Sequence, residues 1–181
     1  MTSSLPAKSL GRRFEARLDR HGFILLMEEQ DRALWDWGLI QRAQEFLSQA
    51  ATGTSVSTFH MEAAIACQYC TAKSYAETNW PAILRFYNAL LAIHRSPIYL
   101  LNRAIVVAEI EGPLAGLGAL KEIGEEPTWR HYHLYDATVG ELYRRSGDLA
   151  RARRHLEAAR STTQSRFDRE LIDRRLAKCV S

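Results

Sequence analysis

The sequence predicts an all-α chain in which antiparallel helix pairs stack as a solenoid. Three observations predict it. Helix-punctuating residues recur near positions 78, 112 and 147. Amphipathic stripes at helical spacing flank each of these points. Ten Gly and five Pro in 181 residues are too few for the many turns of an all-β chain. Hydrophobic residues at 46% and charged residues at 25% suit a globular core and exclude a disordered or collagen-like chain. A chain of this length buries a core unaided, so one domain is expected over 12–181, after a disordered 1–11. Three cysteines, an odd number, exclude a disulfide framework and point to the reducing cytoplasm. No run approaches 18 apolar residues and the N-terminus lacks an apolar h-region, so neither a membrane span nor a signal peptide is expected.

Residues 15–27 hold two short apolar runs around Asp19-Arg-His-Gly22 and read as a β-hairpin. A helix is expected over 31–48. The loop at 50–57 then supplies an N-cap for a helix running to about Ser74. Asn79-Trp80-Pro81 is a helix start with Pro in the first turn. Trp80, Ile83, Leu84, Tyr87, Leu90 and Leu91 follow at spacings of three and four. Further helices are expected over 98–110 and 130–145, each ahead of a glycine. Gly112-Pro-Leu-Ala and Gly147-Asp-Leu-Ala share one pattern 35 residues apart, and each opens another helix. Helix pairs thus fill 31–161. Phe167, Leu171, Ile172 and Leu176 mark a capping helix at 165–179. In the last pair Gly140, Tyr143, Gly147, Ala152, Leu156 and Ala159 match the small–aromatic–Gly–Ala–bulky–Ala pattern of a tetratricopeptide (TPR) repeat. The expected fold is therefore TPR-like, with an N-terminal hairpin and a C-terminal cap.

Charge is uneven along the chain. Residues 142–181 carry eleven basic and five acidic residues, against 13 and 16 in the remainder. Arg outnumbers Lys by 20 to 4, and the guanidinium suits carboxylate or phosphate contacts. Solvated helix faces are the plain reading of this tail, and an acidic partner is the other. Cys67-x-x-Cys70 shares one helix face, but at 1.5 Å per residue His60 lies about 10 Å along the axis from it. Packing cysteines are expected, with no metal site and no cofactor. His131 and His133 diverge on a helix, and Glu28 and Glu29 suit a helix cap. With no phosphate loop, nucleophile elbow or zinc-binding helix motif, no catalytic residue is expected and the chain reads as a non-enzyme. Tyr99, Asn102, Arg103 and Val106 fall on one helix face. They either line a binding groove, with Trp80 and His133 as neighbours, or bond to adjacent helices as structural glue.

A series of short motifs extends this reading. In order these are Ala16-Arg17, Gly22, Leu26-Met-Glu-Glu-Gln-Asp-Arg32, Trp35-Asp36 and Ala63-Ala-Ile-Ala66. Thr78-Asn-Trp80, Ser96-Pro97, Asn102-Arg-Ala104, Glu111-Gly-Pro113, Tyr132-His-Leu134 and Arg174-Arg-Leu176 follow. Together they resemble the C-terminal TPR-like extension of extracytoplasmic-function (ECF) RNA polymerase sigma factors, over roughly residues 12–178. The resemblance implies a bacterial, cytoplasmic interaction domain that modulates transcription initiation through protein contacts. Its partners would be sigma-factor modules, RNA polymerase or a regulator. No helix-turn-helix fits ahead of the matching region, so sequence-specific DNA binding by this chain is not expected. The alternative is a stand-alone TPR-like adaptor that binds a peptide or small ligand.

Overall fold

A computed structural model describes residues 17–20, 22–50, 57–121 and 132–180. Expectations for residues 1–11, most of the 50–57 loop and His131 lie outside them. The described residues are helical, as expected, and contain no strand. Where the sequence suggests one domain, the chain groups into two compact units, Met1–Asn79 and Trp80–Ser181.

The N-terminal unit begins with a chain reversal. The backbone N–H groups of Asp19 and Leu25 donate to Phe23 O and Arg17 O, each at 2.8 Å, and Phe23 N–H donates to the Asp19 carboxylate at 2.9 Å. Of the hairpin expected over 15–27, the described residues form one antiparallel bridge, Leu18 to Ile24, and no strand. The reason is local: Leu26 N–H turns aside to Glu29 Oε2 at 2.8 Å, so the ladder stops. The helix expected from residue 31 is likewise split. Asp31 Oδ1 accepts from Ala33 N–H and starts a 3-10 turn, Arg32–Leu34, while Asp36 Oδ1 accepts from Leu39 N–H and starts α1, Trp37–Ala50. Two caps five residues apart leave no room for one continuous helix. Helix α2, Thr58–Thr71, packs against α1 and ends three residues before the expected Ser74. Arg32 closes that end: Nη1 donates to Tyr69 O at 3.0 Å and to Ala72 O at 2.5 Å. These are carbonyls a helix terminus otherwise leaves unsatisfied.

The C-terminal unit holds α3 (Trp80–Ile93), α4 (Pro97–Glu111), α5 (Pro113–Lys121), α6 (His133–Arg145), α7 (Leu149–Thr162) and α8 (Arg166–Ala177). Each packs on the next, and α4 also touches α6. The expected punctuation at 112 and 147 is present as two turns, with Gly112 at φ +95° and Gly147 at φ +88°. A side chain would be strained at either. The point near 78 falls at the boundary between the two units.

Each of these two helix pairs has a seam of small residues. A Cβ placed on Gly140 of α6 would lie 2.7 Å from Leu156 Cγ and 3.1 Å from Ala152 O on α7. One placed on Gly116 of α5 would lie 2.6 Å from Ala108 Cβ and 2.9 Å from Ala104 O on α4. Leu101, Leu120, Val139 and Leu142 fill the core beside the Gly116 seam, and Leu156 and Ile172 that beside the Gly140 seam. Fully burying each such side chain contributes about 1.5–3 kcal/mol. Helices two apart in sequence share these clusters and are joined by charge as well. Glu109 on α4 pairs with Arg145 on α6, and Glu141 on α6 pairs with Arg175 on α8 at 3.3 Å.

Two predictions follow from this unit. Gly140→Ala should destabilise by about 1–3 kcal/mol through overpacking, whereas Gly118→Ala, with open space around it, should be neutral or slightly stabilising. Equal melting temperatures for the two variants would refute the tight seam. The second concerns Glu141, which accepts two bonds from Arg144 at 2.8 and 3.0 Å. Burial opposes its ionisation, but Arg144, Arg175 and Arg145 outweigh that and hold the carboxyl below its ordinary value. A depressed carboxyl stabilises the fold above its unfolded pKa, about 4.3, and loses that contribution as pH falls through the lowered native value. Glu141→Gln should therefore cost on the order of 1.5 kcal/mol at pH 7, and the gap to wild type should close in denaturation curves taken toward pH 3. A gap that stayed constant with pH would refute the assignment.

Candidate ligand-binding cleft

The structure distributes the expected groove residues over several environments. Tyr99, Asn102, Arg103 and Val106 all lie on α4. Val106 is 0% exposed, so it is corrected to a core residue, at the inner edge of a stripe whose Tyr99, Asn102 and Arg103 stay partly exposed. The Tyr99 ring lies 6.5 Å from that of Tyr87 on α3. Arg103 Nε donates to Asn88 Oδ1 at 2.7 Å and ties α4 to α3. Asn102 is half-buried, and Trp80 opens α3. His133 opens α6 and bonds through Nε2 to Asp168 on α8 at 3.0 Å, which makes it a tie between helices. The basic tail is also engaged: at least seven of its eleven cations, Arg144 and Arg175 among them, face a carboxylate.

The N-terminal unit contains a feature that the sequence reading missed. The reversal, the 3-10 turn and α1 enclose a cleft of about 420 Å³. Ile24, Leu25, Met27, Leu34 and Trp35 give it apolar walls, and Leu39 and Ile40 of α1 continue them. Arg17, Gln30 and Asp36 are its polar lining. A mostly apolar cavity of this size with a few oriented polar groups has the character of a small-molecule site. Gln30 Nε2 donates to Leu25 O at 3.1 Å, so the amide is fixed with Oε1 as its accepting atom. Asp36 is occupied by the N-terminus of α1. A second cavity, about 270 Å³, lies between α1 and α2 and shares Leu39, Ile40 and Cys70 with the first. Burial pushes the Cys67 thiol of this cavity up, partly opposed by a hydrogen bond with Gln44, so the thiol stays neutral at physiological pH. Among the described residues, no three His, Cys, Asp or Glu side chains are grouped to hold a metal ion.

Arg32 positions the cleft wall. It is 5% exposed, its guanidinium carbon lies 4.8 Å from the centre of the Trp35 ring, and its carbonyl accepts from Trp37 Nε1 at 3.1 Å. Burial lowers its pKa from the ordinary value, while the fields of Cys70, Glu77 and Tyr75 raise it. One side chain thus fixes the end of α2, the 3-10 turn and a cleft aromatic. The Leu26–Arg32 and Trp35-Asp36 motifs were the available signal, since they place this many capping groups in one short stretch. Arg32→Lys keeps the charge but loses the planar fork. It should destabilise the unit by about 1.5–3 kcal/mol and speed hydrogen exchange at the C-terminal turn of α2. Unchanged exchange there would show that Arg32 does not hold the helix end.

With this geometry in view, comparisons with known proteins add a partial likeness. Residues 10–51 match a family of unknown function (DUF6596), a span that covers the reversal, the Arg32 turn and α1. An uncharacterized protein of Rhizobium meliloti (strain 1021) is 31% identical over 165 residues, which is 89% of this chain and 38% of that protein. The chain thus spans little more than a third of the length of the curated relative it matches. No solved structure matches. Among the described residues, no helix is long and apolar enough to cross a membrane. What the likeness does pick out is the segment that builds the cleft.

Proposed function

We propose that the chain is a non-enzymatic protein-interaction domain akin to the C-terminal TPR-like extension of ECF sigma factors, modulating transcription initiation through protein contacts. The observation that carries this reading is the pair of matched helix hairpins in the C-terminal unit. Ala104 opposes Gly116 in one, Gly140 opposes Ala152 in the other, and corresponding positions are 36 residues apart. Repeated hairpins of this kind make stacked scaffolds whose first helices present a continuous face to a partner. On that reading α4 and α6 are first helices, and Asn102 is the directed polar group of the face. The Leu18–Ile24 bridge supports an N-terminal hairpin as the accompanying element. A second reading, a stand-alone adaptor for a small ligand, is favoured by the cleft in the N-terminal unit.

Transcription measured from a sigma-dependent promoter, with the chain fused to sigma modules, tests the first reading. Removing the chain should change output severalfold. Asn102→Ala should reproduce part of that change while helicity and melting temperature stay near wild type. Unchanged output on removal of the chain would reject the transcription role. A strong effect of removal with none from Asn102→Ala would instead reject the α4 face as the contact surface.

A further inference from the structure

The C-terminal turn of α2 carries two thiols, Cys67 and Cys70. Both are free and partly exposed, and both line the cavity between α1 and α2. Two neighbours set this pair apart from cysteines that only pack. Gln44 on α1 makes a side-chain hydrogen bond with Cys67 that favours its thiolate. Arg32 brackets Cys70: Nη1 donates to Tyr69 O and Ala72 O on either side of it, and the buried Nη2 has no hydrogen-bond partner. Among the charges whose fields reach this guanidinium, Cys70 acts more strongly than the exposed Glu77. A buried cation short of an acceptor favours an anion beside it, and the Cys70 thiolate supplies one. Each sulfur thus has a group that supports its metal-binding form, as the outer partners of metal ligands do.

Spacing decides what the pair can hold. Side chains three apart on a helix have Cβ atoms about 5–6 Å apart. A disulfide needs about 3.5–4.5 Å, so joining the two sulfurs directly would distort the turn. An ion held linearly between two sulfurs puts them about 4.6 Å apart, twice a metal–thiolate bond of about 2.3 Å, which these side chains reach. Further ligands do not converge on them: among the described residues no three His, Cys, Asp or Glu are grouped for a metal, and His60 Nδ1 lies 2.8 Å from Ser57 Oγ. Zinc asks for four ligands, whereas a soft monovalent ion accepts two thiolates.

We propose that Cys67 and Cys70 form a two-coordinate site for a soft monovalent metal ion of the copper(I) class. Binding releases one proton from each thiol to solvent, moves no electron, and leaves an anionic dithiolate complex beside Arg32. The site is independent of the transcription reading, and either can fail without the other.

Anaerobic titration of the full chain with copper(I), against a chromophoric copper(I) chelator, tests this. One ion per chain is expected, and X-ray absorption of the wild-type complex should show two sulfur neighbours with no nitrogen or oxygen. Cys67→Ser and Cys70→Ser should each weaken binding by more than about a hundredfold, and Gln44→Leu, which keeps both sulfurs, by about tenfold. Cys179→Ser should bind as the wild type does, and zinc should not displace the copper. Binding that survives either α2 serine substitution, is lost with Cys179→Ser, or gives way to zinc would overturn the proposal. Should a serine variant fail to fold by circular dichroism, the wild-type spectrum and the Gln44→Leu titration decide: a sulfur pair together with weakened binding supports the site, and any other combination overturns it.

Discussion

At two places in the C-terminal unit, helices approach so closely that one side of the contact has no room for a Cβ. Gly116 meets Ala104 and Ala108, and Gly140 meets Ala152 and Leu156. Glycine sits on the second helix of the first pair and on the first helix of the second. The constraint is therefore the combined bulk across the seam, not the identity of either position. Close approach brings Leu120 and Leu156 into contact with facing helices, where they are 3% and 0% exposed. Interior packing is dense enough that one added methyl in such a seam forces neighbours out of their rotamers. The tight turns at Gly112 and Gly147 follow from the same approach, since a wide connection would splay the pair. Tyr143 then packs against the clusters on both sides, with His155 stacked on it at 5.7 Å, and joins one pair to the next.

The N-terminal unit is built on another principle. Met61 and Ile65 on α2 are its buried apolar side chains among the described residues, and the large apolar groups of α1 stay half-buried or exposed. Directed hydrogen bonds take over much of the positioning. Asp31, Asp36 and Glu29 each accept from a nearby backbone N–H, and Arg32 reaches across to α2. Hydrogen bonds fix orientation without filling volume, and that is why open apolar space remains beside a well-specified backbone.

These two principles explain what could be read in the sequence. Apolar spacing and glycine punctuation report packing seams, so α3, α4, α7 and α8 lie close to where periodicity puts them. The split between the 3-10 turn and α1 was hidden because Asp31 and Asp36 interrupt a pattern that continues through Trp35, Leu39 and Ile40. Leu26 shows the same effect in the reversal, where a glutamate side chain takes the N–H that a strand would have used. The α4 stripe was legible as a helix face, but its direction was not. Whether Val106 points to core or solvent depends on where α5 and α6 stand, which no local spacing encodes. The cleft was illegible for a related reason: a cavity is the volume side chains fail to fill.

That difference also bears on where recognition resides. The charge of the C-terminal tail reads in the sequence as solvated helix faces or, as the other reading, a surface for an acidic partner. In the fold, Arg145, Arg160 and Arg175 instead cross between helices to carboxylates on α4, α8 and α6. An acidic partner would have to displace these contacts, and exposed pairs of this kind give back little when exchanged. The C-terminal tail has thus engaged most of its cations with carboxylates of its own unit. Apolar surface left unfilled in the N-terminal unit carries the opposite balance, because covering Leu39 and Ile40 gains free energy and breaks no existing bond. The unfilled apolar surface of this chain therefore lies where its packing is least complete, along α1.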